Sequence, residues 1–349
     1  MNKAEGNGSE VHTTVLNALN QGLMQAFDAD ESVYLLGEDV LDPYGGAFKV
    51  TRGLSTRYPS RVLTTPISEA GITGIAAGMA LRGLRPVVEI MFGDFLTLAA
   101  DQIINHIAKF RWMYNDQVTV PMVIRTPMGG RRGYGPTHSQ TLEKHFIGVP
   151  GLRVVAPTAL GSPGRLLNQA ILETEEPVLF IENKLLYASR LLPSDTSQEF
   201  SIHSFESSAA WGKYTPTYSL QVRAAPQPVL TLVAYGYMAE LARQVVQDLA
   251  FQHEIFTELI VPTQLSPYDI EPILSAVRKS SHLLLVEEGT RTAGWGAEIL
   301  AQVSEILGIG MQSCMRVAAR NLPVPASSKL ETTVLPQIDD IVQAALTIL

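Results

Sequence analysis

Short runs rich in valine, isoleucine and leucine alternate with stretches whose apolar residues recur at helical spacing, the pattern of parallel sheets covered by helices. In the first half this predicts strands over 32–37, 61–66, 85–91, 118–125, 153–156 and 178–181, the first ending in an acidic turn, Gly37-Glu38-Asp39. A helix opens near Ser68, and another runs from about Asp94 to Tyr114, with Ile103, Ile107, Phe110 and Tyr114 on one face. The second half repeats the logic with strands over 229–235, 255–261, 282–287 and 311–318. An amphipathic helix there carries Met238, Leu241, Ala242, Val245 and Leu249, and a terminal helix starts from Gln337. Between the halves the chain is rich in Ser, Thr and Pro with weak periodicity. The expected organisation is α/β in two domains, each a mainly parallel sheet flanked by helices: 1–195, a linker 196–225, and 226–349. Ser208 to Tyr214 is a candidate edge strand of either domain.

Composition narrows the class without naming a function. The chain has 349 residues, 46% hydrophobic and 17% charged, which suffices for large cores. A net charge of −8 without a basic cluster argues against nucleic acid and against an anionic membrane surface. The single cysteine, Cys314, excludes a disulfide within the chain and, lying in an apolar run, is expected to be a buried thiol. No apolar run reaches membrane-spanning length. The first dozen residues lack the pattern of a secretory signal or an Arg-rich presequence, so a cytoplasmic location is expected.

Three segments could carry chemistry. In the run from Thr64 to Gly78, Ser68 is placed to cap a helix whose first turn holds Glu69. Gly71, Gly74 and Gly78 lie on one face of that helix, where glycine costs about 1 kcal/mol per position and implies close approach of a backbone or ligand. The loop from Gly129 to Gln140 holds Arg131, Arg132, Tyr134 and His138 among glycines, and reads equally as a binding loop or a flexible solvated one. It lacks the Gly-Lys-Ser/Thr of a P-loop. Phe92 and Phe95 sit at a strand-to-helix junction, where α/β sheets place ligands.

Together these segments closely resemble the beta subunits of pyruvate, branched-chain 2-oxoacid and acetoin dehydrogenases, over roughly Val11 to Leu349. The likeness rests on Gly37 to Val40, Gly45-Gly46-Ala47-Phe48, Thr65 to Gly78, Gly83 to Val87, Phe92 to Phe95 and Asp101 to Asn105. It continues through Val123 to Pro127, His138-Ser139-Gln140, Pro150 to Pro157 and Gly296 to Ile299. The resemblance implies a pyrimidine-binding domain followed by a transketolase-type C-terminal domain. It also implies thiamine diphosphate as cofactor and a heterotetramer with an alpha subunit. The family's activity is oxidative decarboxylation of a 2-oxoacid with acyl transfer to a lipoyl group, which adds a lipoyl acyltransferase core as a possible partner.

By the same carry-over Glu69 is the carboxylate that bonds the cofactor aminopyrimidine and promotes loss of the thiazolium C2 proton. Glu38, Ile67 and Phe95 line the same pocket, and His138 lies near the reacting centre. Arg131 and Arg132 are candidates for drawing in the substrate carboxylate. The chain has no Gly-Asp-Gly followed some thirty residues on by Asn, the family's magnesium-diphosphate motif, so that half of the site falls to the alpha subunit and no metal ligand is assigned here. Departures at Ser162 to Arg165, at Ala170 to Glu176 (one residue longer), at Val261 to Leu265 and at Ala319 to Asn321 mark a divergent member. The second of these falls where some relatives bind a monovalent cation. Two other readings share the features: a two-chain transketolase-like enzyme transferring a ketol or acyl unit, and a non-catalytic subunit docking an acyltransferase core.

Overall fold

Strands covered by helices on both faces read as continuous apolar runs, and such runs form two mainly parallel sheets here, one in each half of the chain. The computed structural model describes residues 13–192, 198–207 and 214–349. In chain order the first half holds α1 (Val15–Ala29), β1 (Val33–Gly37), α2 (Leu54–Arg57), β2 (Val62–Thr64), α3 (Glu69–Leu81), β3 (Arg85–Glu89), α4 (Leu96–Asp101), α5 (Phe110–Met113), β4 (Val123–Met128), β5 (Arg153–Val155), α6 (Pro163–Leu172) and β6 (Val178–Asn183). The second holds β7 (Phe200–Phe205), β8 (Thr217–Val222), β9 (Leu230–Ala234), α7 (Gly236–His253), β10 (Thr257–Pro262), β11 (Gln264–Ser266), α8 (Glu271–Ser280), β12 (His282–Thr290), α9 (Trp295–Leu307), β13 (Ser313–Ala319), α10 (Ser328–Val334) and α11 (Ile338–Ile348).

The first sheet has the order β11-β5-β6-β4-β3-β1-β2 and the second β13-β12-β9-β10-β8-β7. Within the first sheet only β11 is antiparallel. It comes from the second half and pairs with β5, so the two domains share a sheet edge. A single apolar cluster continues across them, from Ile90 and Ile124 to Ile260, Leu283 and Trp295. Successive strands leave β1 in opposite directions: β2 lies on one side of it and β3 on the other. The crevice beyond the carboxyl ends of such strands is where α/β sheets bind ligands.

Three expectations change. The segment assigned to the linker contributes β7 and β8 to the second sheet; Phe200, Ile202 and Leu220 alternate inward, but two short antiparallel strands at a sheet edge leave a weak pattern in the sequence. Most of the candidate strand from Ser208 to Tyr214 lies outside the described residues. The helix expected over Asp94 to Tyr114 is broken into a turn of 3₁₀ helix, α4, a π-helical stretch over Gln102–Ile107, and α5. Ile103 and Ile107 are buried as expected, but the wider π turn rotates the face and leaves Tyr114 exposed. Cys314 is exposed, because β13 is an edge strand whose alternate residues point outward.

Candidate active site

The lateral register of the first sheet gathers the candidate residues at one edge. Gly37 lies beside Thr64 of β2 and Glu89 of β3, and Glu89 lies beside Arg125 of β4. The segments that follow these strands therefore emerge together. Glu38 follows β1, Ile67 and Glu69 follow β2, Phe95 follows β3, and His138 sits in the loop after β4.

Glu69 is the first residue of α3 and is buried. The helix start favours its negative charge through the aligned peptide dipoles. Ser68 occupies the N-cap position, yet its side chain makes no capping bond. Glu38 is also buried, and its Oε1 has no hydrogen-bond partner among the described residues. Burial and the neighbouring Glu69 carboxylate raise the Glu38 carboxyl above its ordinary range, against the pull of the Ser68 backbone N–H. The structure thus brings Glu38 and Glu69 together as two carboxyls at one helix start. Ile67, beside them, is 82% exposed. Farther along α3, Ile75, Gly71 and Gly78 are exposed as well, and a side chain added at Gly78 would meet nothing in this chain. Gly74, between them, is half-buried, and a Cβ there would touch the Gln102 side chain at 3.4 Å, so the glycine face is packed inside the chain at its middle and open at Gly78.

Phe95 and His138 meet in an aromatic cluster. The His138 ring stands edge-on to Phe92 at 4.9 Å and to Phe95 at 5.3 Å between centroids. Phe92 also contacts Phe48 and Tyr134 edge-on, at 5.8 and 5.9 Å. Thr137 Oγ1 lies 3.0 Å from His138 Nδ1. Behind the ring, buried Asp94 accepts the Gln140 backbone N–H at 3.2 Å and its side-chain amide at 2.8 Å. The Gly45-Gly46-Ala47-Phe48 segment delivers Phe48 to this cluster. Gly45 and Gly46 have positive φ, the Ala47 N–H reaches Glu89 Oε1 at 3.3 Å, and a Cβ at Gly46 would collide with the Glu89 carboxylate.

Beneath the edge lies a buried ion triad. Arg125 forks onto Glu182, with Nε–Oε1 at 2.9 Å and Nη2–Oε2 at 2.5 Å, and its Nη1 bonds Glu89. The Tyr187 hydroxyl donates to Glu182 at 2.5 Å. Burial and the Glu182 charge raise the Glu89 carboxyl, with Arg125 opposing.

Two features escaped sequence reasoning. Arg131 does not face the ligand edge: its Nη2 donates to the Pro336 carbonyl at 2.5 Å, and its guanidinium lies 5.8 Å from the Tyr237 ring centroid, both in the second domain. Arg132 is exposed and reaches the Lys184 carbonyl at 3.4 Å. The second is Lys184, fully buried just after β6, whose ammonium donates to the His138 carbonyl. Its signal in the sequence was the charged run Glu182-Asn183-Lys184 closing an apolar strand. Ile171 and Thr174 carbonyls, in the segment that departs from the family, accept Arg85 Nη1 at 2.9 Å each. Among the described residues no cluster of His, Cys, Asp and Glu could hold a metal ion.

Comparison with known proteins accounts for this arrangement. Residues 12–190 match the family "Transketolase, pyrimidine binding domain" and residues 220–341 match "Transketolase, C-terminal domain". The mitochondrial pyruvate dehydrogenase E1 component subunit beta-2 of Oryza sativa subsp. japonica is 39% identical over 95% of this chain and 85% of its own length. The mitochondrial subunit beta-1 of Arabidopsis thaliana is 38% identical over 95% of this chain and 88% of its own. The mitochondrial subunit beta of Saccharomyces cerevisiae is 34% identical over 96% and 88%. A split-gene transketolase, solved as an inactive beta4 tetramer, shares the fold with a TM-score of 0.71 at 18% identity, over 96% of this chain and 97% of its own. The expected cytoplasmic location is overturned by these relatives, which are mitochondrial. No helix among the described residues is long and apolar enough to cross a membrane. With both domain families matched in order and relatives this similar over nearly their whole length, the chain belongs to the beta subunits of the thiamine-diphosphate-dependent 2-oxoacid dehydrogenases, the family of the pyruvate dehydrogenase E1 component.

Proposed function

We propose that this chain supplies the aminopyrimidine half of a thiamine diphosphate site and that an alpha subunit supplies the half that holds magnesium and diphosphate. The observation that carries the reading is the buried Glu69–Glu38 pair at the start of α3, flanked by Ile67 at 82% exposure. A catalytic carboxylate at the rim of an uncovered apolar surface is the form that a site shared between two chains requires. The names of the relatives, pyruvate dehydrogenase E1 component subunit beta, support pyruvate as the 2-oxoacid and a place among other subunits; the family resemblance adds a heterotetramer with an alpha subunit and a lipoyl acyltransferase core.

The residues present suit the aminopyrimidine. Glu69 would bond the ring nitrogen and hold or release the proton there, acting in relay rather than as a nucleophile. Glu38, with an unpartnered buried oxygen, keeps the neighbourhood acidic and is placed to share that proton. Phe95 and Ile67 offer apolar contacts that orient a flat ring and exclude water. His138, on the neighbouring loop, faces the reacting side and moves a proton to or from the substrate or the acyl acceptor. The cofactor, when bound, supplies the electron sink for decarboxylation.

Calorimetric titration of thiamine diphosphate with magnesium tests the division of the site. The chain alone should show no micromolar binding, and the chain assembled with its alpha-type partner should. Micromolar binding to the isolated chain would contradict a shared site.

A further inference from the structure

Among the described residues Lys184 is the one lysine found at 0% exposure, and it lies directly behind His138. Its Nζ donates to the His138 carbonyl oxygen and lies 5.1 Å from the ring centroid of Phe92 and 5.5 Å from that of Tyr134. Phe92 is the same ring that stands edge-on to the His138 imidazole. The Lys184 backbone is itself fixed: its N–H donates to the Met128 carbonyl at 3.0 Å, at the end of β4, where the His138 loop begins. Four charged groups face the ammonium: Asp94 and Glu288, which favour its charge, Arg132, which opposes it, and Glu331, which favours it. None of the acids forms an ion pair with it among the described residues; Asp94 Oδ1 is turned to Gln140, and its Oδ2 has no partner.

Taking an ammonium out of water is costly unless it is paired, and methionine would fill the same space without that cost. The groups in direct contact with the Lys184 ammonium are one carbonyl and two aromatic faces, all part of the frame around His138, while Asp94, Glu288 and Glu331 favour its charge without pairing to it. We propose that Lys184 is the positioning residue for His138, its buried ammonium fixing the His138 carbonyl so that the imidazole is presented at the carboxyl edge of the sheet between Phe92 and Phe95. The inference rests on the role given to His138 above. Lys184 has no exposed surface with which to meet a ligand, so it acts through the histidine. Burial draws the lysine down to about 8. As pH rises through that value, the charge-assisted bond to His138 becomes a weaker neutral one.

The test uses the complex of this chain with its alpha-type partner, as parent, Lys184→Met and Lys184→Arg. Amide hydrogen exchange in the cofactor-free complex should be about tenfold faster or more over residues 129–140 in Lys184→Met, with β1 to β4 as protected as in the parent. With cofactor and 2-oxoacid, Lys184→Met should lower kcat by about 10- to 100-fold, with a smaller change in KM. Exchange of the cofactor C2 proton, which reads Glu69 and not His138, should stay within about twofold of the parent. The parent's alkaline limb near pH 8 should vanish in Lys184→Met and move to higher pH in Lys184→Arg. Parent-like loop protection and turnover in Lys184→Met would overturn the inference. So would equal loss of protection throughout β1 to β4 in both variants, the mark of a merely structural lysine. A parent complex that exchanges no C2 proton and turns over no 2-oxoacid would remove the function proposed above and this inference with it, a result distinct from an active parent with an indifferent Lys184→Met.

Discussion

The carboxylate of Glu288, on β12 of the second domain, accepts the backbone N–H of Gly130 in the first domain at 2.7 Å. Its other oxygen takes the Asn183 side-chain amide at 3.1 Å. Glu331 of α10 holds the next turn, accepting the N–H of Arg131 at 2.5 Å and of Gly133 at 3.2 Å. The loop that carries His138 is therefore clamped by the second domain through carboxylates that receive successive backbone donors. Positive φ at Gly129, Arg131, Gly133 and Gly135 turns those donors toward the carboxylates.

In the proposed site, a clamped loop gives His138 a fixed approach to the reaction, separate from cofactor activation at Glu69. His138→Ala should leave cofactor affinity and C2 exchange close to the parent while lowering turnover about 10²- to 10⁴-fold. Steady-state rates combined with NMR-detected C2 exchange on the assembled complex check this. Parent-like turnover would return His138 to a packing role among Phe92 and Phe95, and a collapse of exchange would move it into activation.

Much of this was legible in the sequence. The apolar runs placed nearly every strand of the first sheet, since parallel strands carry their signal in the run itself. The acidic turn at Glu38 and the helix start at Glu69 marked the two carboxyls, because strand ends and helix caps are local features. What was not legible depends on distant partners. The loop of residues 129–140 reads equally as a binding loop or a flexible solvated one until Glu288 and Glu331, far along the chain, are seen to hold it. Arg131 reads as a candidate for drawing in the substrate carboxylate until the Pro336 carbonyl and the Tyr237 ring are brought to it. The π turn at Gln102–Ile107 leaves no local signature, because its extra residue changes which face is inward and not which residues are apolar.

The Arg125 triad carries a stability prediction. Arg125 is 1% exposed and is the cation paired with two buried carboxyl groups, Glu89 and Glu182. Arg125→Met leaves both without a cation and should cost about 3–5 kcal/mol. Adding Glu89→Gln to that variant should recover part of the loss. Denaturant unfolding monitored by circular dichroism measures both, and a single-variant loss below about 1 kcal/mol would show the triad to be dispensable.

Glu287 makes stability depend on pH. It lies on β12 at the N-terminus of α9, 1% exposed, with Arg316 at 3.9 Å. Burial raises it to about 7, with Glu143 adding to the rise and the backbone N–H groups of Gly296 and Trp295 opposing. Its folded value lies above the ordinary 4.5, so the folded chain holds this proton more tightly than the unfolded chain. The associated stability is present below the ordinary value and is lost as pH rises toward 7. Glu287→Gln mimics the protonated form, so it should leave Tm unchanged near pH 5 and raise it by about 2 °C or more at pH 8. Equal Tm differences at both values would place the titration elsewhere.

In the proposed division of the site, Glu69 activates thiamine diphosphate from this chain while the partner holds the diphosphate. Hydrogen–deuterium exchange at cofactor C2, followed by NMR in the assembled complex, reads that step directly. In Glu69→Gln the amide still bonds the ring but relays no proton, so exchange should fall about 10²- to 10⁴-fold toward the rate of the free cofactor, with assembly and Tm preserved. Exchange within a few-fold of the parent in an intact Glu69→Gln complex would contradict the account.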